Sequence, residues 1–220
     1  MTWLVDNFDV VLGYTKTHLY LSLVPLLIGL IIAIPVGTVI RNAHWVRKVT
    51  MTVASIAFTI PSLALFVTIP AVVGLPVLDP LNVVIALAVY STALLIRAVP
   101  EALDSVPFAV VDSAEAMGYS SLRRAVAVEL PLSLPVLIAN IRVVAVTNIS
   151  LVSVGSVIGI GGLGQLFTQG YQRDYPDQIV AGIISIVFLA LVFDAGLYLL
   201  GRKLTPWTRL GTVSTKKARA

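Results

Sequence analysis

Two ionisable side chains, Arg142 and Asp194, interrupt apolar stretches of this 220-residue chain that are otherwise free of charge. A charge at the centre of a membrane helix costs about 2.5–3.5 kcal/mol on insertion scales, so each needs a partner, water or a nearby interface. The two could form the proton relay of an ion-coupled transporter. Both also lie toward one end of their stretch, where snorkelling or local pairing accounts for them. A second set, Thr147, Ser150, Ser153 and Ser156, places a hydroxyl at every third residue, with Asn148 and Gly155 beside the row. Such a row either lines a wet path or supplies close-packing contacts between membrane helices. Gly159, Gly161, Gly162 and Gly164 follow. So many glycines do not continue a stable helix, and the irregular backbone they form is an outer gate, a re-entrant turn or an ordinary loop. It is no phosphate cradle, because Gly161-Gly162-Leu163-Gly164 lacks a following Lys-Ser/Thr. With no Cys, thiolate nucleophiles and Cys-based metal sites are excluded, and His18 and His44 stand single and far apart. No catalytic residue, metal or cofactor is expected in this chain.

The elements that must carry these residues are membrane helices. Hydrophobic residues make up 58% of the chain and charged ones only 12%, against about 25% charged in a soluble domain. The apolar runs predict five spans: Leu19 to Ile40, Val49 to Val73 with Pro61 and Pro70 inside, Leu81 to Val99, one within Leu134 to Ile160, and one within Ile179 to Gly201. The expected fold is therefore all-α, a polytopic membrane bundle forming one domain over 19–201, between an extracytoplasmic segment 1–18 and a basic cytoplasmic tail 202–220. The net charge of +4 comes from residues at the ends of apolar runs, so it signals topology rather than nucleic-acid binding. Arg41, Arg47, Lys48, Arg97, Arg123, Arg124, Arg202, Lys203, Arg209, Lys216, Lys217 and Arg219 collect on one side, and only Lys16 and Arg173 on the other. Positively charged loops stay cytoplasmic, so the N-terminus is expected outside and the C-terminus inside. The start carries Asp6 and Asp9 and no basic region, unlike a cleaved signal peptide. Trp3, Trp45 and Trp207 fall near span ends, as an interfacial belt.

Between the third and fourth spans, residues of about 101–133 read as two short helices. Pro107 suits a first helical position, Gly118 a left-handed C-terminal cap, and Ser120 an N-cap. Leu122, Val126 and Leu130 would share one face of the second helix, and Pro131 would close the segment before the next span. Asp112, Glu115, Arg123, Arg124 and Glu129 would then turn outward on a docking elbow; an amphipathic loop lying on the membrane is the alternative.

The residues Asp112-Ser113-Ala114, Gly118 and Val128-Glu129-Leu130-Pro131 resemble the EAA motif of ABC importer permeases. That family writes it Glu-Ala-Ala, three residues, Gly, nine residues, Ile, one residue, Leu-Pro. The spacing matches throughout, with Asp for Glu, Ser for the first Ala and Val for Ile. The resemblance extends over roughly residues 15 to 205. Thr59-Ile60-Pro61-Ser62-Leu63-Ala64-Leu65, the stretch Val128 to Arg142, and Ile158 to Gly164 are similar to glycine betaine, carnitine and choline permeases, while methionine permeases share the Gly-rich part. Ala98-Val99 stand where the osmoprotectant branch often has Asn-Thr.

The resemblance implies a type I importer permease whose elbow is the coupling helix. Asp112, Ser113, Ala114, Glu115, Gly118, Val128, Leu130 and Pro131 would couple it to a separate ATP-binding subunit that holds ATP and Mg. A second permease chain, identical or related, and a separate extracytoplasmic solute-binding protein are implied as partners. The solute would be a small osmoprotectant or another small molecule such as methionine. The three Trp and the scattered Tyr and Phe do not converge as a cage for a quaternary ammonium, so the binding protein is expected to set affinity.

Overall fold

The computed structural model describes residues 2–208, and the last basic residues of the tail, Arg209, Lys216, Lys217 and Arg219, lie outside them. The described residues are almost wholly helical. After a short α1 (Thr2–Asp6) come α2 (Phe8–Ile40), α3 (His44–Thr59), α4 (Ser62–Val73), α5 (Pro80–Asp104), α6 (Phe108–Ala116) and α7 (Ser121–Arg124). A π-turn (Ala125–Glu129), α8 (Leu130–Gly155), a 3₁₀ turn (Ser156–Ile158), α9 (Gln165–Gln172) and α10 (Pro176–Leu204) complete the chain. Four helical stretches are long and apolar enough to span a bilayer, and the bent pair α3–α4 makes a fifth span if taken as one.

Two expectations are corrected, and one helix is longer than the span read within it. The helix that carries the first span starts at Phe8 and runs unbroken through Pro25 and Pro35. The second span is not one rod. Ile60 and Pro61 adopt extended backbone (ψ 129° and 132°), and α4 leaves α3 at 98°. A proline disfavours helical φ/ψ in the residue before it, and Ile60 obeys. Pro131, by contrast, closes nothing, since Ser121–Ile158 is one continuous helical stretch. The π-turn is the reason. A proline lacks an N–H and clashes with the carbonyl four residues back, and the wider i→i+5 turn just before Pro131 relieves that conflict.

Helix α5 is the central post, buried over most of its circumference against α2, α3, α4 and α8. It starts cleanly because the Asp79 side chain accepts from Leu81 N–H and Pro80 occupies the first turn. Its closest partner is α2, at Gly29 and Gly37. A Cβ on Gly29 would stand 2.7 Å from Ser91 Cβ, and one on Gly37 2.7 Å from Val99 Cβ. Water offers no hydrophobic drive between helices in lipid, so such close backbone approach, with its dispersion contacts, is what joins them. Leu21, Phe66, Leu87 and Val152 fill the core on one side of this seam, and Leu26, Leu95, Leu103 and Val144 the other.

Filling that approach should separate the helices. Gly29→Leu is expected to lose about 1–3 kcal/mol by overpacking, whereas Gly196→Leu on α10 meets nothing within 4 Å. Thermal unfolding of the two variants in detergent checks this: only Gly29→Leu should melt early, and equal melting would contradict the packing.

Candidate functional site

The elbow begins where α5 ends. Pro107 is the N-cap of α6 rather than its first helical residue (ψ 134°), and Phe108 opens the helix. Gly118 ends it at φ +82°, a left-handed conformation that a Cβ disfavours. Tyr119 N–H donates to Ala114 O at 3.1 Å and Gly118 N–H to Glu115 O at 2.9 Å, the paired bonds of a Schellman cap. Ser120 occupies the next N-cap position without a side-chain capping bond. Ala114 is buried beneath the elbow, while Asp112, Ser113 and Glu115 are exposed.

The second half of the elbow departs from the sequence reading. Leu122 is 75% exposed and Val126 59%, so these two point away from the bundle, while Leu130 is half-buried. Glu129, expected outward, is 1% exposed. The π-turn again explains it: one extra residue in a turn shifts the helix phase by about 100°, so side chains read on a regular 3.6 period land on the wrong face. Arg124 also turns inward, its side chain 11% exposed. Arg123 stays outside, stacked 4.7 Å over the Tyr119 ring. Val128, Leu130 and Pro131 are half-buried.

Glu129 is the centre of a chain of charges. It pairs with Arg41 at the end of α2 and accepts from Arg124 Nε at 2.6 Å. Arg124 also pairs with Glu115 on α6. Arg41 Nε donates to Asp104 at 2.7 Å, and Arg47 of α3 reaches the other Asp104 oxygen at 2.8 Å. The sequence Arg47–Asp104–Arg41–Glu129–Arg124–Glu115 thus ties α3, α5, α2, the π-turn, α7 and α6 at one end of the bundle. Arg41, Arg47 and Asp104 went unrecognised in the sequence because each is an ordinary charge at a helix end.

The hydroxyl row divides. Asn148 is wholly buried, its Nδ2 donating to Ser22 O at 3.1 Å and Ser91 Oγ at 2.8 Å, so it joins α8 to α2 and α5. Ser156 is buried and donates to Ser153 O at 2.7 Å, while Ser153 Oγ is buried and without a partner among the described residues. Thr147 bonds back to Val143 O, and Ser150 is exposed. Arg142 and Asp194 meet in a two-pronged pair, Nε to Oδ1 at 2.7 Å and Nη2 to Oδ2 at 2.6 Å, with Arg142 beside the Tyr198 ring.

The glycine segment is densely packed. Gly159 sits at φ +85°, and Gly161, Gly162 and Gly164 are all buried. A Cβ on Gly162 would collide with Tyr14 and His18, and one on Gly164 would stand 2.8 Å from Ser153 O. His18 pins this loop. Its Nδ1 accepts from Leu163 N–H at 3.2 Å, which leaves the ring proton on Nε2, 2.9 Å from Ile149 O. A cavity of about 340 Å³ lies beside it, lined by Tyr14, Leu78, Gly159, Gly161 and Gln165.

Comparison with known proteins places this geometry. Residues 26–208 match the family model described as the binding-protein-dependent transport system inner membrane component. The osmoprotectant import permease protein OsmW of Salmonella typhimurium is 33% identical over 93% of this chain and 96% of its own. The carnitine transport permease protein OpuCB of Listeria monocytogenes is 32% identical over 94% and 93%. The choline transport system permease protein OpuBB of Bacillus subtilis is 29% identical over 93% of each. Among solved structures, a chain of the MetNI methionine ABC transporter in inward-facing conformations superposes with a TM-score of 0.78 at 26% identity, covering 93% of this chain and 98% of that one. The chain belongs to the family of binding-protein-dependent transport system inner membrane components, the permease subunits of ABC importers.

Proposed function

We propose that this chain carries a small osmoprotectant, such as glycine betaine, carnitine or choline, across the cytoplasmic membrane by alternating access. The N-terminus would lie outside and the basic end inside. ATP and Mg would be held by a separate ATP-binding subunit, and solute delivered by a separate extracytoplasmic binding protein to a pair of permease chains. The observation that carries this reading is the elbow: a capped nine-residue helix that turns Ala114 inward and leaves Phe108, Ala109, Val110 and Ala116 exposed. Phe108 is 78% exposed and Met117 70%, and Leu122 stands exposed beyond the Gly118 turn. Exposed apolar side chains rimmed by Asp112 and Arg123 suit a protein partner better than water.

The chain of charges is the transmission. A push on α6 reaches Arg124 through Glu115, then Glu129, and through Arg41 and Asp104 the ends of α2, α5 and α3. Because each link is shared by two neighbours, the elbow and these helix ends move together. The paired Arg142 and Asp194 neutralise each other, which supports local pairing over a proton relay.

The reading is tested by uptake in vesicles holding the chain with its ATPase and binding protein. ATP-dependent entry of glycine betaine, carnitine or choline is expected; entry of methionine alone, or ATP-independent entry collapsed by an uncoupler, would contradict it. The dock is tested by co-purification. Asp112→Lys combined with Met117→Asp should release the ATPase, and retention at normal stoichiometry would place the dock elsewhere.

The transmission yields an energetic prediction. Glu129→Ala leaves Arg41 and Arg124 without their shared carboxylate, and breaking a buried pair costs about 3–5 kcal/mol. Glu115 is 56% exposed, so Glu115→Ala should cost no more than about 1 kcal/mol. Chemical unfolding of both variants in detergent checks the order; a Glu129→Ala variant as stable as Glu115→Ala would refute it.

A further inference from the structure

Arg97 is an intramembrane charge that the transmission does not use. It lies on α5 seven residues before the helix ends at Asp104, is exposed, and its Nη1 donates to Ser55 Oγ on α3 at 3.2 Å. The two helices run antiparallel, with Arg47 bonded to Asp104 at their basic ends. From that bond, Ser55 is eight residues along α3, about 12 Å, and Arg97 seven residues back along α5, about 10.5 Å. The guanidinium is therefore held level with its own backbone. A snorkelling arginine would instead swing toward Asp104 and the basic end. Among the described residues Ser55 is the only hydrogen-bond partner of Arg97, and no carboxylate pairs with it. Arg142 and Arg41, by contrast, each have a carboxylate. A charge at the centre of a membrane helix costs about 2.5–3.5 kcal/mol, and Arg97, seven residues inside the end of α5, has no carboxylate among the described residues to offset a cost of that kind.

The break between α3 and α4 points the same way independently. Tyr90 stands seven residues before Arg97, nearly two full turns and so on the same face of α5. Its hydroxyl donates to Ile60 O at the break, and its ring meets Phe58 edge-on at 5.5 Å. Ile60 is 41% exposed, and Thr59 and Pro61 are exposed beside it. Non-helical backbone at membrane depth persists only against protein or water, and broken helices mark solute sites in other transporters for that reason. The break, reached through the buried Tyr90, and Arg97 thus share one face of α5.

We propose that Arg97, steadied by Ser55, is a subsite on the translocation path for the carboxylate of a zwitterionic solute. Resting on the osmoprotectant reading, it selects betaines that carry a carboxylate, glycine betaine and carnitine, over choline, which has none. One guanidinium N–H goes to Ser55, and the others remain to grip a carboxylate in the two-pronged geometry arginine favours. A single cation without an aromatic cage binds weakly, as a site that must release its solute requires.

The test is uptake by the assembled complex, with ATPase and binding protein, carrying Arg97→Gln. Glycine betaine uptake should fall about 10- to 100-fold, while choline uptake stays within about twofold of the parent. Equal loss of both solutes, or unchanged betaine uptake, overturns the subsite. Because Arg97→Gln could also weaken assembly, a second variant keeps Arg97: Ser55→Cys places the one thiol of an otherwise cysteine-free chain beside it. An anionic methanethiosulfonate should modify this thiol faster than a cationic one, and glycine betaine should slow the reaction. Ile31→Cys on α2, at a position 72% exposed, is the lipid-facing control and should stay unmodified. A Ser55→Cys thiol as inert as the control, or one that betaine does not protect, also overturns the subsite. If the parent complex imports choline but no carboxylate-bearing solute, the osmoprotectant reading stands and the subsite falls. If it imports neither choline nor any betaine, the osmoprotectant reading itself falls.

Discussion

The structure depends on one buried carboxylate. Glu129 sits 1% exposed between Arg41 and Arg124, and through those two arginines the ends of α2, α5 and α3 and the helices α6 and α7 are joined. Removing ions from water costs several kcal/mol each, so such a site persists only where its geometry is complete. Here it is complete because the π-turn rotates Glu129 inward, and Pro131 stands immediately beyond that turn. A backbone irregularity thereby fixes the electrostatics, and the electrostatics fix the elbow against the bundle. The same turn moves Leu122 and Val126 outward, where they join Phe108 and Met117 on the exposed elbow.

At the opposite end, order comes from glycine rather than charge. Gly162 packs against α2, and Gly161 and Gly164 against Ser156 and Ser153, so closely that a Cβ would not fit; His18 of α2 accepts from Leu163 N–H of this segment at Nδ1 and faces Ile149 O of α8 with Nε2. The His18 bonds to Leu163 N–H and Ile149 O join this segment to α2 and α8. Between the two ends, Asn148, Ser22 and Ser91 form a buried polar contact that ties α8 to α2 and α5.

Hydropathy alone located the spans, since each stretch with one charge or none in some twenty residues became a helix. The Gly118 turn was equally legible, because only glycine suits its φ of +82° and the residues on either side read as helix. What sequence did not disclose are phase and direction. Pro61 and Pro131 look alike in a hydropathy trace, yet one breaks a helix by 98° and the other is absorbed by a π-turn. Glu129 read as outward because a regular period was assumed through that turn. The hydroxyl row read as a unit, but its members divide between a buried knot at Asn148 and an open surface at Ser150. Arg41 read only as a topology signal and Asp104 as nothing; their pairing is a contact across sixty-three residues of sequence.

The central claim is that the elbow and the basic ends of α2, α3 and α5 form one rigid body. The chain has no cysteine, so spin labels can be placed at Ser121→Cys on the elbow, outside the residues assigned to the dock, and Trp45→Cys on α3, both at exposed positions. Pulsed electron–electron resonance on the complex with its ATPase, with and without nucleotide, measures the separation within one chain when labelled and unlabelled permeases are mixed in excess of the latter. A rigid body predicts the same distance distribution in both states. A nucleotide-dependent shift or second distance within the chain would show that the elbow swings free of the helices, and the account of transmission through Glu129 would be wrong.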